Sequence, residues 1–220
     1  MKVLLAAAAA SLAATVMACP ASGVPGFAEI LRGAEDIGRN CVVKKEKSPK
    51  EILYYCTQAI RSTAWHDTAW PYFARAIAYI QLLQLKSALA DLNVAAKLAS
   101  ESDPNLRGIY FDRCYVRARL GNELPAALDD CNKALTLSPS DLHTLDLRAL
   151  VEYRMAEFSA SMADCDIVLK YRANSPPTLY LRGLAKLKTG DPGAGKEDIA
   201  TATRHDPSVA SYLASFGVTD

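Results

Sequence analysis

An arginine followed by a small residue, with an aspartate sixteen or seventeen positions further on, occurs four times in this 220-residue chain. The sets are Arg75-Ala76 with Asp91, Arg113-Cys114 with Asp130, Arg148-Ala149 with Asp164, and Arg182-Gly183 with Asp198. The arginines stand 38, 35 and 34 residues apart. A step near 34 holds two helices of three or four turns and the turn between them. Self-similarity at such a fixed period marks a repeat architecture, in which each unit buries its apolar face against its neighbours.

Within each unit the apolar residues recur at helical spacing. In the third, Leu145, Leu147, Leu150 and Val151 are followed by Met162, Ile167, Val168 and Leu169. Turn residues divide the halves at Gly121-Asn122 and at Gly190-Asp191-Pro192, and Pro139 and Pro207 close the second and fourth units. No stretch alternates with period two between turn signals, so the reading is all-α. The recurrent Arg and Asp fall one on each helix of a hairpin, where they can pair across it and fix its register.

The units resemble the tetratricopeptide repeat. That family carries small residues at positions 8, 20 and 27, a large apolar residue at 24 and proline at 32. The fourth unit has Gly183, Gly195, Ile199, Ala202 and Pro207 at these places. The second has Cys114, Ala127, Cys131, Ala134 and Pro139, with one extra residue in its turn. The first has Ala76, Ala88, Leu92 and Ala95, and the third has Ala149, Ser161, Cys165 and Val168. Units one and three lack the proline, and the family's Trp at position 4 is Tyr72, Tyr110, Leu145 and Leu179. The resemblance implies a right-handed superhelix of helix–turn–helix units, an α-solenoid, with repeats at 69–102, 107–141, 142–175 and 176–209. A degenerate repeat is expected in 24–68, where "KEILYYCTQAI" aligns with "LDDCNKAL", and a capping helix over 208–220.

The stretch "GDPGAGKED" at 190–198 also matches the G-x-x-x-x-G-K core of a phosphate-binding loop. A true loop of that kind follows a strand, whereas "LYLRGLAKLK" has helical spacing, and Glu197 stands where a Ser or Thr would bind magnesium. The register places the stretch in the turn of unit four. Gly183 and Gly195 are read as close-packing positions between its two helices, and no nucleotide is expected.

The chain opens on Lys2, an apolar run from Val3 to Met17 and then small residues, which is the build of a secretory signal peptide. The signal is expected to span 1–18, with cleavage between about 18 and 23. "VMAC" also resembles a bacterial lipobox, which makes Cys19 a candidate lipid-attachment residue and a lipid anchor the one expected membrane link. Export places the six cysteines where disulfides persist, although Cys56, Cys131 and Cys165 at position 24 also suit simple packing. Exported bacterial repeat proteins that this N-terminus resembles carry a cysteine just upstream of the string formed here by Pro49, Ile52, Cys56, Thr57 and Ile60. That resemblance implies a Cys41–Cys56 disulfide. Cys114 and Cys131 are a second candidate pair.

Net charge is +1, which gives no argument for nucleic acid or an anionic surface. His66, His143 and His205 lie far apart in the register, and no nucleophile–base set stands out. Neither a cofactor, a metal nor an enzymatic activity is expected. By resemblance to the family, the concave face is lined by positions 2, 5, 9, 12 and 13 of each first helix. These are Trp70, Phe73, Ile77 and Gln81, then Phe111, Tyr115 and Arg119, then Asp146, Leu150, Tyr153 and Arg154, then Tyr180, Leu184 and Lys188. Aromatic anchors beside arginine suit a protein or peptide partner. The functional expectation is an exported, periplasmic protein-binding scaffold, with a self-associating structural lipoprotein of the outer membrane as the alternative.

Overall fold

The structure is a computed structural model and describes residues 38–44, 46–62 and 65–219. The expected signal segment 1–18, the expected cleavage region and Cys19 lie outside the described residues. Residues 38–40 are helical. They lead to ten further helices: α1 (Pro49–Arg61), α2 (Ala69–Gln81), α3 (Leu85–Leu98), α4 (Leu106–Leu120), α5 (Leu124–Leu137), α6 (Leu142–Arg154), α7 (Phe158–Tyr171), α8 (Pro176–Lys188), α9 (Pro192–His205) and α10 (Val209–Ala214). Among the described residues there is no strand. α2–α3, α4–α5, α6–α7 and α8–α9 are four helical hairpins, each packed on the next, which is an α-solenoid of tetratricopeptide type.

Local chemistry sets the ends of these helices. Ser48 and Glu51 form a reciprocal cap on α1: Glu51 N–H donates to Ser48 Oγ and Ser48 N–H to Glu51 Oε2. Proline occupies the first turn of α1, α5, α8 and α9, where its missing N–H costs nothing. The turn of every hairpin holds one residue at positive φ in the same register: Leu83 (57°), Gly121 (80°), Ala156 (62°) and Gly190 (91°). Gly190 of the phosphate-loop look-alike is thus the left-handed turn residue of α8–α9, and Asp191 caps α9 by accepting from Ala194 N–H.

Small residues let the paired helices approach. A Cβ on Gly183 would stand 2.7 Å from Gly195 O, and one on Gly195 would stand 2.8 Å from Gly183 O. Ala76 with Ala88, Cys114 with Ala127 and Ala149 with Ser161 hold the same places in the other hairpins, all buried.

The recurrent arginines form a ladder. Each donates through Nε and Nη2 to both oxygens of its own unit's aspartate: Arg75 to Asp91, Arg113 to Asp130, Arg148 to Asp164 and Arg182 to Asp198. Each Nη1 then reaches back to the second helix of the preceding unit, at Thr57, Asn93, Asn132 and Asp166. One side chain therefore fixes both the hairpin and its stacking on its neighbour. Thr57 lies on α1, so α1 stands toward Arg75 as each second helix stands toward the arginine of the next unit.

The cysteines differ in role. Cys41 is bonded to Cys56, with Cα atoms 4.6 Å apart, and Cys114 to Cys131, 5.5 Å apart. The packing role expected at position 24 therefore belongs to Cys165 alone, which is free and buried. Burial pushes its thiol far above the usual range.

Candidate functional site

The first helices α4, α6 and α8 line a groove whose floor is apolar. A cavity of about 170 Å³ lies in it, bounded by Phe111, Tyr115, Leu147, Leu150, Leu181 and Phe216. Phe216 comes from the segment after α9, which folds back against the groove. The capping helix expected over 208–220 is helical over Val209–Ala214 only. It ends because Gly217 adopts φ 74°, with Gly217 N–H donating to Ala214 O and Val218 N–H to Leu213 O. This glycine-ended helix stop turns Val218 back toward Leu213. Leu213, Phe216 and Val218 are each only 2% exposed.

Two expected groove residues hold this segment directly. Tyr115 meets Phe216 edge-on at 5.5 Å between ring centroids. The Arg119 guanidinium lies over the same ring at 4.9 Å and donates to Ser215 Oγ at 3.3 Å. Arg154 donates to Ala118 O, and its guanidinium lies against Gly121 and Gly217. Burial lowers the pKa of Arg154, and among the described residues no carboxylate forms an ion pair with it.

The remaining members of the expected row divide. Phe111 and Leu150 line the cavity, and Asp146 accepts from Thr178 Oγ1 at 2.6 Å at its edge. Burial raises the Asp146 pKa, against that bond and Arg172. Much of the row is covered rather than open. Phe73 is buried with its ring against Gly108. Tyr153 is buried edge-on against Phe158 of its own hairpin. Tyr180 and Leu184 belong to the core, and Leu150 itself is almost fully covered. Trp70 donates from Nε1 to Cys41 O and, like Ile77, packs with the first hairpins. Gln81 and Lys188 are exposed. On α4–α8 the core therefore covers most of the large apolar side chains of this row, and segment 209–219 engages Arg119 and Arg154.

Sequence reasoning missed Leu147 and Leu181, which stand one place beyond position 5 in their helices, and Asp112, which stands at the same place in α4. Asp112 lines a second hollow with Arg107, Phe111 and His143. Burial pushes its carboxyl up to about 7, opposed by Arg107. Among the described residues, no group of three or more His, Cys, Asp or Glu is placed to hold a metal ion.

The fold has solved counterparts. A structure of MamA 41-end from Desulfovibrio magneticus RS-1 matches with a TM-score of 0.66 at 16% identity, over 80% of this chain and 95% of that one. Another MamA crystal structure matches at 0.66 and 15% identity, over 84% and 97%. YrrB, described as a TPR protein with an unusual peptide-binding site, matches at 0.63 and 14% identity, over 87% and 89%. Neither the known protein-family profiles nor the curated protein sequences contain a match to this chain. At these identities the likeness establishes the fold: this chain is built as a tetratricopeptide-type solenoid.

Proposed function

We propose that this protein is an exported scaffold that holds a protein or peptide segment against the first helices of its repeats. One observation carries the reading. The groove of α4, α6 and α8 already accommodates a peptide segment, 209–219, with Val209, Leu213, Phe216 and Val218 buried and a cavity left beside them. Buried aromatic and arginine contacts of this kind are where binding energy concentrates at interfaces. The peptide-binding site of YrrB supports the same use of this fold. Export is part of the proposal. It is supported by the two disulfides, which persist in oxidising compartments.

The test is a peptide library screened against the full chain, with the binding surface mapped by chemical shifts. Ligands should shift Phe111, Tyr115 and Arg119, and Tyr115→Asp should abolish capture. Shifts confined to α3, α5 and α7 would move the binding surface to the second helices and refute the groove. N-terminal sequencing of the cellular protein tests export: an intact Met1 would contradict it.

A further inference from the structure

We infer that the groove selects a segment with an aliphatic anchor, an aromatic anchor three residues later and a glycine directly after it, and that residues 213–218 hold the site as an internal copy of that partner. The inference rests on the proposed groove and names the chemistry of the partner.

Each element of the pattern has a receptor in the groove. The aromatic is read twice, by the edge of Tyr115 and by the Arg119 guanidinium, so an aliphatic residue there would forfeit both the ring contact and the cation–π attraction. The glycine is favoured by its backbone conformation and by the nearness of Arg154, whose side chain would have to give way to a Cβ. Its φ of 74° is left-handed, and a Cβ at that position would stand 3.1 Å from Arg154 Nη2. The aliphatic anchor, Leu213, fits the apolar floor beside Leu147, Leu150 and Leu181. The turn after the glycine brings Val218 onto Leu213, so the segment presents a compact apolar knob.

The same segment is built to be displaced. α10 has six residues, too few to persist as a helix without the surface it lies on. Asp206 and Pro207 separate it from α9. Asp206 accepts from both Ser208 N–H and Ser208 Oγ, and these two bonds stay within the linker. Docking uses Tyr115, Arg119 and Arg154, side chains on the first helices of units two and three, together with packing against α8. A partner with the same pattern would compete for them. Its apparent affinity would be reduced by the fraction of chains whose groove is occupied from within.

Two measurements decide. In the unaltered full chain, the amides of Gly217 and Val218 should exchange with solvent at least about tenfold faster than those in the middle of α8, because a displaceable segment opens locally. Equal rates, meaning that the segment opens only with the whole fold, would overturn the inference. This measurement needs no substitution, so it decides even where a variant folds poorly. The second uses a labelled synthetic peptide, SVASYLASFGV, against the full-length Phe216→Ala chain. The peptide should bind this variant at least about tenfold more tightly than the parent, since the internal competitor is weakened. Peptides with the Phe changed to Ala, or the Gly changed to Val, should fail. A folded Phe216→Ala chain that ignores the peptide, or that does not distinguish it from the glycine-substituted form, would refute the pattern. Library peptides of another pattern that still shift Tyr115 would refute this inference while leaving the groove reading intact.

Discussion

Glu152 is the residue that fits its repeat worst. At its place in the register, unit two has Arg117 and unit four has Lys186, and each donates to the hairpin's aspartate. Glu152 instead lies 7% exposed, with Oε2 unpartnered. Burial, reinforced by Asp164 and opposed by Arg148, pushes its carboxyl from 4.5 up to about 7. Between those values the folded state binds more protons than the unfolded chain, so its contribution to stability is lost as pH rises and stays lost above 7. Glu152→Gln should therefore stabilise by about 1–2 kcal/mol at pH 8, after discounting for partial solvent access, and by little at pH 4.5. Glu152→Lys should gain further by pairing with Asp164. Urea unfolding at the two pH values checks this, and an equal effect at both would contradict it. A second residue-scale strain lies at Leu83, which holds φ 57° with its side chain 69% exposed. Left-handed backbone costs a non-glycine residue roughly 1–2 kcal/mol, and glycine's added unfolded-state entropy returns about half of that. Leu83→Gly should raise stability by roughly 0.5–1 kcal/mol, read as a higher melting temperature.

The hairpins draw their uniformity from the arginine–aspartate pairs. Asp130 is the most demanding of the four: it is fully buried and accepts from both Arg113 and Arg117. Removing one partner of a buried pair leaves an uncompensated charge, which costs about 3–5 kcal/mol. Asp130→Ala should fall in that range, and Asp198→Ala below it, because Asp198 is more exposed. At Asp198, burial raises the pKa but the bonds from Arg182 and Lys186 outweigh it and hold the carboxyl low. Chemical denaturation of both variants tests the order, and a larger loss at Asp198 would contradict it. The hairpins themselves were legible in the sequence, because the Arg–Asp spacing, the small residues at the close approach and the apolar period all report on contacts inside one unit. The reach of each Arg Nη1 to Thr57, Asn93, Asn132 and Asp166 was not. Those acceptors share one place in the register, directly after position 24, but they differ in type and pair with an arginine of the next unit, so a pattern read within one unit does not show the contact.

At the scale of the solenoid, the repeat register places a row of side chains on the first helices but does not say which of them the core covers. Which of them face a groove and which are covered depends on contacts beyond their own helix: the end of the Phe73 ring meets Gly108 of the next unit, where there is no Cβ, and Tyr153 packs edge-on with Phe158. The position of segment 209–219 was illegible for the same reason. Its apolar residues fit a capping helix equally well; only Gly217, which breaks the helix, and the arginines of α4 and α6, which hold the broken end, decide where it lies. The central claim is that Phe216 sits in the groove of the intact protein. Nuclear Overhauser contacts of the Phe216 ring in the full chain test it most directly. Contacts are expected from that ring to the Tyr115 ring and to the Arg119 side chain, with its protons shifted by the neighbouring aromatics. Random-coil shifts for Phe216, with no contact to either residue, would contradict it.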